Sequence, residues 1–174
     1  MRLFVAIKIS EELQEEIFEW EKNYQRLPVR WIAGKNLHVT LIPPWESEEA
    51  EKVSMILKTL EGKVGKSFEI VFERVCYGPR KEEPRLIWAE GKAPKEIQDL
   101  KARVESILGQ RPDSRPFKLH LTLARFNSRD FVRFPIKNLD EEVFWRQEVK
   151  SFVLMESRLL LEGAEYEVLE EIKL

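Results

Sequence analysis

The sequence predicts an α+β protein of two pseudo-symmetric lobes, each an antiparallel sheet with helices packed outside it, and a cleft between the lobes. Three observations predict this. Strand-like and helix-like periods alternate along 174 residues, a length that suits one bilobal domain spanning 1–174. The pattern also repeats: Leu3-Phe4-Val5-Ala6, a helix over 10–27 and His38 correspond to Leu86-Ile87-Trp88-Ala89, a helix over 94–109 and His120. Leu3 to His38 is 35 residues and Leu86 to His120 is 34. Finally, the two halves close on near-copies, His38-Val39-Thr40-Leu41 and His120-Leu121-Thr122-Leu123. Duplicated strand–helix–strand units bury their apolar faces most simply as two packed lobes.

The elements follow in order. Leu3 to Ile9 is β-branched and aromatic, a buried strand. Ser10 caps an acidic first turn, Glu11-Glu12, and Leu13, Ile17, Trp20, Tyr24 and Leu27 recur at helical spacing until Pro28. Val29-Arg30-Trp31 is a short extended piece and Gly34 a turn. Asn36 to Ile42 forms the first His strand, expected to stop at Pro43-Pro44. A second helix over 47–61 turns Val53, Ile56, Leu57 and Leu60 inward and closes at Gly62 and Gly65. Ser67–Tyr77 and Pro84–Glu90 read as paired strands around a charged loop. Pro94 opens a third helix ending at Gly109, and Phe117–Ala124 is the second His strand. Asn127–Asp140 reads as irregular, with Phe131, Phe134 and Ile136 packing inward. Val149–Leu161 and Ala164–Ile172 form a terminal hairpin turning at Glu162-Gly163.

Composition narrows the function. A net charge of −2 argues against a domain that holds nucleic acid through long electrostatic contact, while leaving room for a local phosphate pocket. The lone Cys76 excludes a disulfide framework and a cysteine-rich zinc site, and reads as a small core residue in a reducing compartment. No stretch approaches the ~20 apolar residues of a membrane span, and Met1 to Lys8 is too short for a signal peptide. A cytoplasmic monomer without membrane contact is expected. Charged residues at 34% resemble the balance in proteins from hot environments.

The tetrads carry the chemistry. The chain has two histidines, and each is followed two places on by one of its three threonines. In a strand, residues i and i+2 share a face. His38 and Thr40 thus share one face with Val39 and Leu41 behind them, and His120 and Thr122 do the same before Leu121 and Leu123. Two such faces, met at the lobe interface where pockets form readily, supply two groups that titrate near neutrality. One imidazole takes a proton while the other gives one, and two hydroxyls hydrogen-bond a charged group between them. That equipment suits phosphoryl chemistry at neutral pH with no metal and no cofactor. Spacing does not tell acid from base.

Paired H-x-T-x motifs about eighty residues apart, the second within Arg115-Pro116-Phe117-Lys118-Leu119-His120-Leu121-Thr122-Leu123-Ala124-Arg125, resemble the 2H phosphoesterase superfamily. The branch most similar is the RNA 2′,3′-cyclic phosphodiesterases, also called 2′-5′ RNA ligases. Met1-Arg2-Leu3-Phe4-Val5-Ala6-Ile7 and Asn36-Leu37 add to the likeness. The resemblance implies metal-independent hydrolysis of a 2′,3′-cyclic phosphate at an RNA 3′ end to a 2′-phosphate, with 2′-5′ joining of RNA ends as the reverse reaction. It implies His38 as proton donor to the departing 3′-oxygen, His120 as proton acceptor from water, Thr40 and Thr122 on the phosphate, and Arg125 as added charge. The chain departs from the family's usual Lys-Phe-Leu-Gly run after the first motif, where Ile42-Pro43-Pro44-Trp45 stands.

Other readings stay open at this level. Strict alternation puts Arg125 on the Leu121/Leu123 face, and it joins the histidines only if the strand bulges or ends after Thr122. Trp31 and Phe4 are candidates to stack on a base, although each fits the core better, Phe4 above all because it lies in a buried strand. Trp45 is a further stacking candidate. Glu11-Glu12 and Glu48-Glu49 suit helix starts. A small cyclic nucleotide phosphate as substrate, or non-catalytic binding of RNA ends, are the competing functions.

Overall fold

The computed structural model describes residues 1–160 and 163–174. Among these, β1 (Arg2–Lys8), β3 (His38–Glu46), β8 (Ser151–Leu160) and β9 (Gly163–Lys173) form one antiparallel sheet in the order β3-β1-β8-β9. A second antiparallel sheet has the order β2-β6-β5-β4-β7. It is built from β2 (Arg30–Trp31), β4 (Phe68–Gly78), β5 (Leu86–Gly91), β6 (Leu119–Arg125) and β7 (Asp140–Val149). Three helices, α1 (Glu11–Glu21), α2 (Ala50–Lys58) and α3 (Lys95–Leu108), complete the α+β fold. The terminal hairpin is present as β8 and β9; Leu161, expected to end its first strand, and Glu162, expected at its turn, lie outside the described residues.

Local rules account for the helices. Ser10 Oγ accepts a hydrogen bond of 3.2 Å from the Leu13 N–H, and Glu11 and Glu12 occupy the positive end of α1. The apolar stripe Leu13, Ile17 and Trp20 is buried. α1 stops at Glu21, earlier than the periodicity suggests, and Lys22–Tyr24 tightens to a 3-10 turn. α3 buries Ile97, Leu100 and Val104 and ends at Gly109, whose φ of 62° is the left-handed cap that glycine takes without steric cost.

Four features differ from the sequence reading, each for a physical reason. Pro43-Pro44 does not stop β3, which runs on to Glu46. β3 is an edge strand and its pairing with β1 shifts register in this stretch, so the missing N–H groups break no inner ladder. β7 went unread because its alternation, with Val143, Trp145 and Val149 inward, is broken at two positions. Its buried positions include Gln147, while Phe144 on the outward face is 68% exposed. The extended piece Arg30-Trp31 is a strand of the other sheet, with Arg30 opposite Arg125 and Trp31 opposite Ala124. The internal repeat is real but shifted by one residue. Ala6 lies opposite Thr40 and Lys8 opposite His38, as Trp88 lies opposite Thr122 and Glu90 opposite His120. Ala6 therefore corresponds to Trp88, not to Ala89, and in a strand one residue exchanges the two faces.

One core cluster runs through both sheets, from Leu3, Val5 and Ile7 to Ile87, Leu121 and Leu123. The opposite face of β1 forms a small satellite of Phe4, Ala6, Val153 and Met155, with Tyr166 against it. The sheets are also clasped by a nearly buried amide. Gln147 on β7 accepts from the Ser10 N–H and donates to the Lys8 carbonyl, both at 2.9 Å. Backbone groups at the end of the first sheet are thus satisfied by a side chain of the second. Gln147→Leu leaves an N–H and a C=O without these partners, and we expect a loss of about 1–3 kcal/mol. A urea midpoint unchanged from wild type would show that the clasp contributes nothing.

Candidate active site

β3 and β6, which carry the tetrads, touch one another across the two sheets. Alternation holds in both: Val39, Leu41, Leu121 and Leu123 are buried, while His38, Thr40, His120 and Thr122 are half-buried on the opposite face. β6 changes phase after Thr122. Its register against β5 shifts between Ile87 and Trp88, so that Leu123 and Ala124 are buried in succession and Arg125 emerges on the histidine side. The bulge resolves the question that alternation left open for Arg125.

The two imidazoles are held alike. His38 Nδ1 lies 2.7 Å from the Asn36 carbonyl oxygen and His120 Nδ1 lies 3.0 Å from that of Lys118. A carbonyl only accepts, so Nδ1 carries the hydrogen in each ring and Nε2 is the nitrogen left to exchange a proton. Aromatic rings set the orientation. Phe4 and Tyr166 each stand 5.1 Å from His38, Tyr166 edge-on at 90°. Trp88 lies 5.0 Å from His120, and its other neighbour, Lys118, sits 4.5 Å over the indole and 2.9 Å from Glu90.

Each histidine borders its own cavity. The His38 cavity, about 500 Å³, is lined by Phe4, Arg30, Thr40, Arg125 and Tyr166 among others, with Arg2 adding a third guanidinium. In a chain of net charge −2, three arginines around one hollow concentrate positive charge where an anion would sit. The His120 cavity, about 330 Å³, is lined by Thr40, Leu41, Lys101, Phe117 and Lys118 among others. Thr40 belongs to both and stands between them. Thr122 shares the His120 face two residues on.

The aromatic candidates fall differently. Phe4 is 1% exposed, so it carries the His38 ring and offers almost no face for a base to stack on. The structure places Trp31 with the core instead: it stands 6.2 Å and edge-on from Trp20 and lines neither cavity. Trp45 is likewise half-buried against the core, opposite Leu3. Arg30, Tyr166 and Trp88 were not singled out from the sequence. The repeat in its true register identifies Trp88, because that position faces Thr122. Tyr166 carries no local signal, since only β9 pairing brings it to His38.

Electrostatics act on His38. Burial, chiefly, holds the His38 pKa below the ordinary histidine value of 6.5; its hydrogen bond to the Asn36 carbonyl opposes this, and the charges of Arg125 and His120 reinforce it. A positive charge on His120 thus disfavours a second one on His38.

The model of the 2′-5′ RNA ligase superfamily matches residues 9–159. The chain belongs to that superfamily. Among relatives, it is 32% identical over 171 residues to the RNA 2′,3′-cyclic phosphodiesterase of Archaeoglobus fulgidus, across 95% of this chain and 96% of the relative. It is 27% identical to the protein of that name from Methanocaldococcus jannaschii, across 98% and 99% of the two. Solved structures share the fold. A Thermus thermophilus protein aligns with TM-score 0.78 at 24% identity over 99% of this chain and 97% of that one. E. coli LigT in complex with 3′-AMP aligns with TM-score 0.76 at 23% identity over the same shares.

Arg125→Gln removes a positive charge that depresses His38. Nitrogen-detected NMR titration should show the His38 pKa rising in this variant, with Nδ1 protonated in the neutral ring of both proteins. An unmoved His38 titration would place Arg125 too far away to act on it.

Proposed function

We propose that this protein hydrolyses the 2′,3′-cyclic phosphate at RNA 3′ ends to a 2′-phosphate. The observation that carries this reading is the facing pair of strands on which two imidazoles, each with Nε2 freed by the same Nδ1–carbonyl bond, flank a shared threonine. Superfamily membership and the names of the relatives support it. Residues 1–174 act as one bilobal unit, a monomer of the cytoplasm, where a buried free thiol such as Cys76 stays reduced.

The reaction follows from the geometry. His120 Nε2 takes a proton from water as the water oxygen bonds to phosphorus. The P–O3′ bond breaks on the far side, and His38 Nε2 gives its proton to O3′. Thr40, Thr122 and Arg125 donate hydrogen bonds to the non-bridging oxygens, where charge gathers. The acid must hold a proton, yet the surroundings of His38 lower its pKa in the free protein. The bound anion supplies the offset, because a negative charge beside His38 and Arg125 favours the imidazolium. The alkaline limb of kcat/KM, which reports the free protein, therefore lies below that of kcat, which reports the complex.

The test is turnover of a short RNA ending in a 2′,3′-cyclic phosphate, in EDTA, with the product position resolved. Wild type should yield the 2′-phosphate. His38→Ala and His120→Ala should each lower kcat by roughly 10²–10⁴, and the double variant should fall little further because the two act as a unit. Arg125→Gln should move the alkaline limb of kcat/KM upward with the His38 pKa. If the acid limb moves instead, His38 is the base. Turnover of cyclic mononucleotides alone would transfer the reading to small substrates, and binding without turnover would make this a protein of RNA ends only.

A further inference from the structure

We propose that the hollow beside His38 holds more than the terminal nucleotide, and that the Arg2 guanidinium at its far end binds the phosphodiester joining the terminal nucleoside to the one before it. This rests on the hydrolase reading above and names the contact that tells an RNA end from a cyclic mononucleotide. The step itself places the substrate. In-line displacement puts the entering and leaving oxygens on opposite sides of phosphorus. The leaving O3′ stays on the terminal nucleoside and takes its proton from His38. That nucleoside therefore lies on the His38 side, in the cavity of about 500 Å³.

The cavity is drawn out along β1. Arg2, Phe4, Ala6 and Lys8 share one face of that strand by alternation, and Thr40 stands opposite Ala6. Arg2 and Thr40 both line the hollow. Four residues of extended chain separate Arg2 from the level of Thr40, about 13 Å. On β8, Leu3 pairs with Glu156, which brings Ser157 beside Arg2, and Leu159 follows on the same face, 72% exposed. Arg2, Ser157 and Leu159 make the end of the hollow away from the reaction.

Charge says what that end receives. The sequence has 31 acidic residues, yet among the described residues no Asp or Glu lines this hollow, whereas Asp113 lines the one beside His120. Glu46, opposite Arg2 on β3, is not in the lining. A cyclic phosphate carries one negative charge, and at the reacting end Arg125 and the threonines answer it. Arg2 lies too far along the strand to do the same. A cyclic mononucleotide offers Arg2 only a neutral 5′-hydroxyl. In an RNA strand that 5′-oxygen carries a phosphodiester, and one nucleoside and one arginine side chain cover the distance between them. Guanidinium and phosphate then pair through two parallel hydrogen bonds. The strand leaves the hollow past Leu159.

The experiment gives wild type three substrates: a cyclic mononucleotide, a dinucleotide ending in a 2′,3′-cyclic phosphate, and the same dinucleotide with an uncharged methylphosphonate at its one internucleotide linkage. The unmodified dinucleotide should show a kcat/KM about tenfold above the other two, the share of one charge-assisted contact. Arg2→Gln, at an exposed position, should abolish that advantage, and Arg2→Lys should restore part of it. The slope of log KM against log salt for the dinucleotide should fall by about 0.7 in Arg2→Gln, one phosphate contact fewer. A merely structural Arg2 would instead lower turnover of all three substrates alike, which would overturn the proposal. Losses from Arg2→Gln and from the methylphosphonate that multiply, rather than coincide, would also overturn it, because Arg2 and that linkage would then not meet. Equal kcat/KM for mononucleotide and dinucleotide in wild type would overturn the contact and leave the hydrolase standing, whereas no turnover of any substrate would remove both.

Discussion

A hydrogen bond between each imidazole and a main-chain carbonyl two residues earlier is the constraint on which the site depends. The carbonyls of Asn36 and Lys118 belong to the main chain just ahead of β3 and β6, so the backbone dictates which nitrogen carries the hydrogen. A side-chain partner would add rotamer freedom of its own, and a carboxylate would add charge. A carbonyl does neither, and it leaves proton exchange to Nε2. Because β3 and β6 meet across the sheets, the two histidines border neighbouring cavities that share Thr40 in their linings.

Duplication supplies two identical tools, and their surroundings make them unequal. His38 is enclosed by Phe4 and Tyr166 with Arg125 nearby, and burial depresses its pKa. His120 rests on Trp88 at the edge of a hollow whose cations are paired with carboxylates. The arginines follow the same asymmetry, gathering on the His38 side. The charge that would bind an anionic substrate is therefore the charge that discourages His38 protonation until the anion arrives.

Much of this was legible along the chain. Periodicity in Leu13, Ile17 and Trp20 located α1, Gly109 marked the end of α3, and two His-x-Thr units picked out the strands of the site. Local rules failed where a strand's place in its sheet overrode them. Pro43-Pro44 is a stop signal in an inner strand and harmless at an edge, and edge or centre is not a local property. β7 hid because Gln147 is buried for its bonds to Ser10 and Lys8, a reason that lies 137 and 139 residues away.

Sequence alone determined the units: which residues form strands, which faces are apolar, and that two histidines and two threonines share the polar faces. Periodicity and composition act over a few residues, so a single chain reads them directly. Only the tertiary structure decided how the units meet. It fixed the bulge that turns Arg125 toward His38, the pairing that brings Tyr166 beneath it, and the one-residue register that seats Trp88 against His120. It also assigned Trp31 to the core and Arg30 to the cavity. These outcomes depend on contacts between residues far apart in the chain, where a shift of one position in a strand exchanges core for cleft.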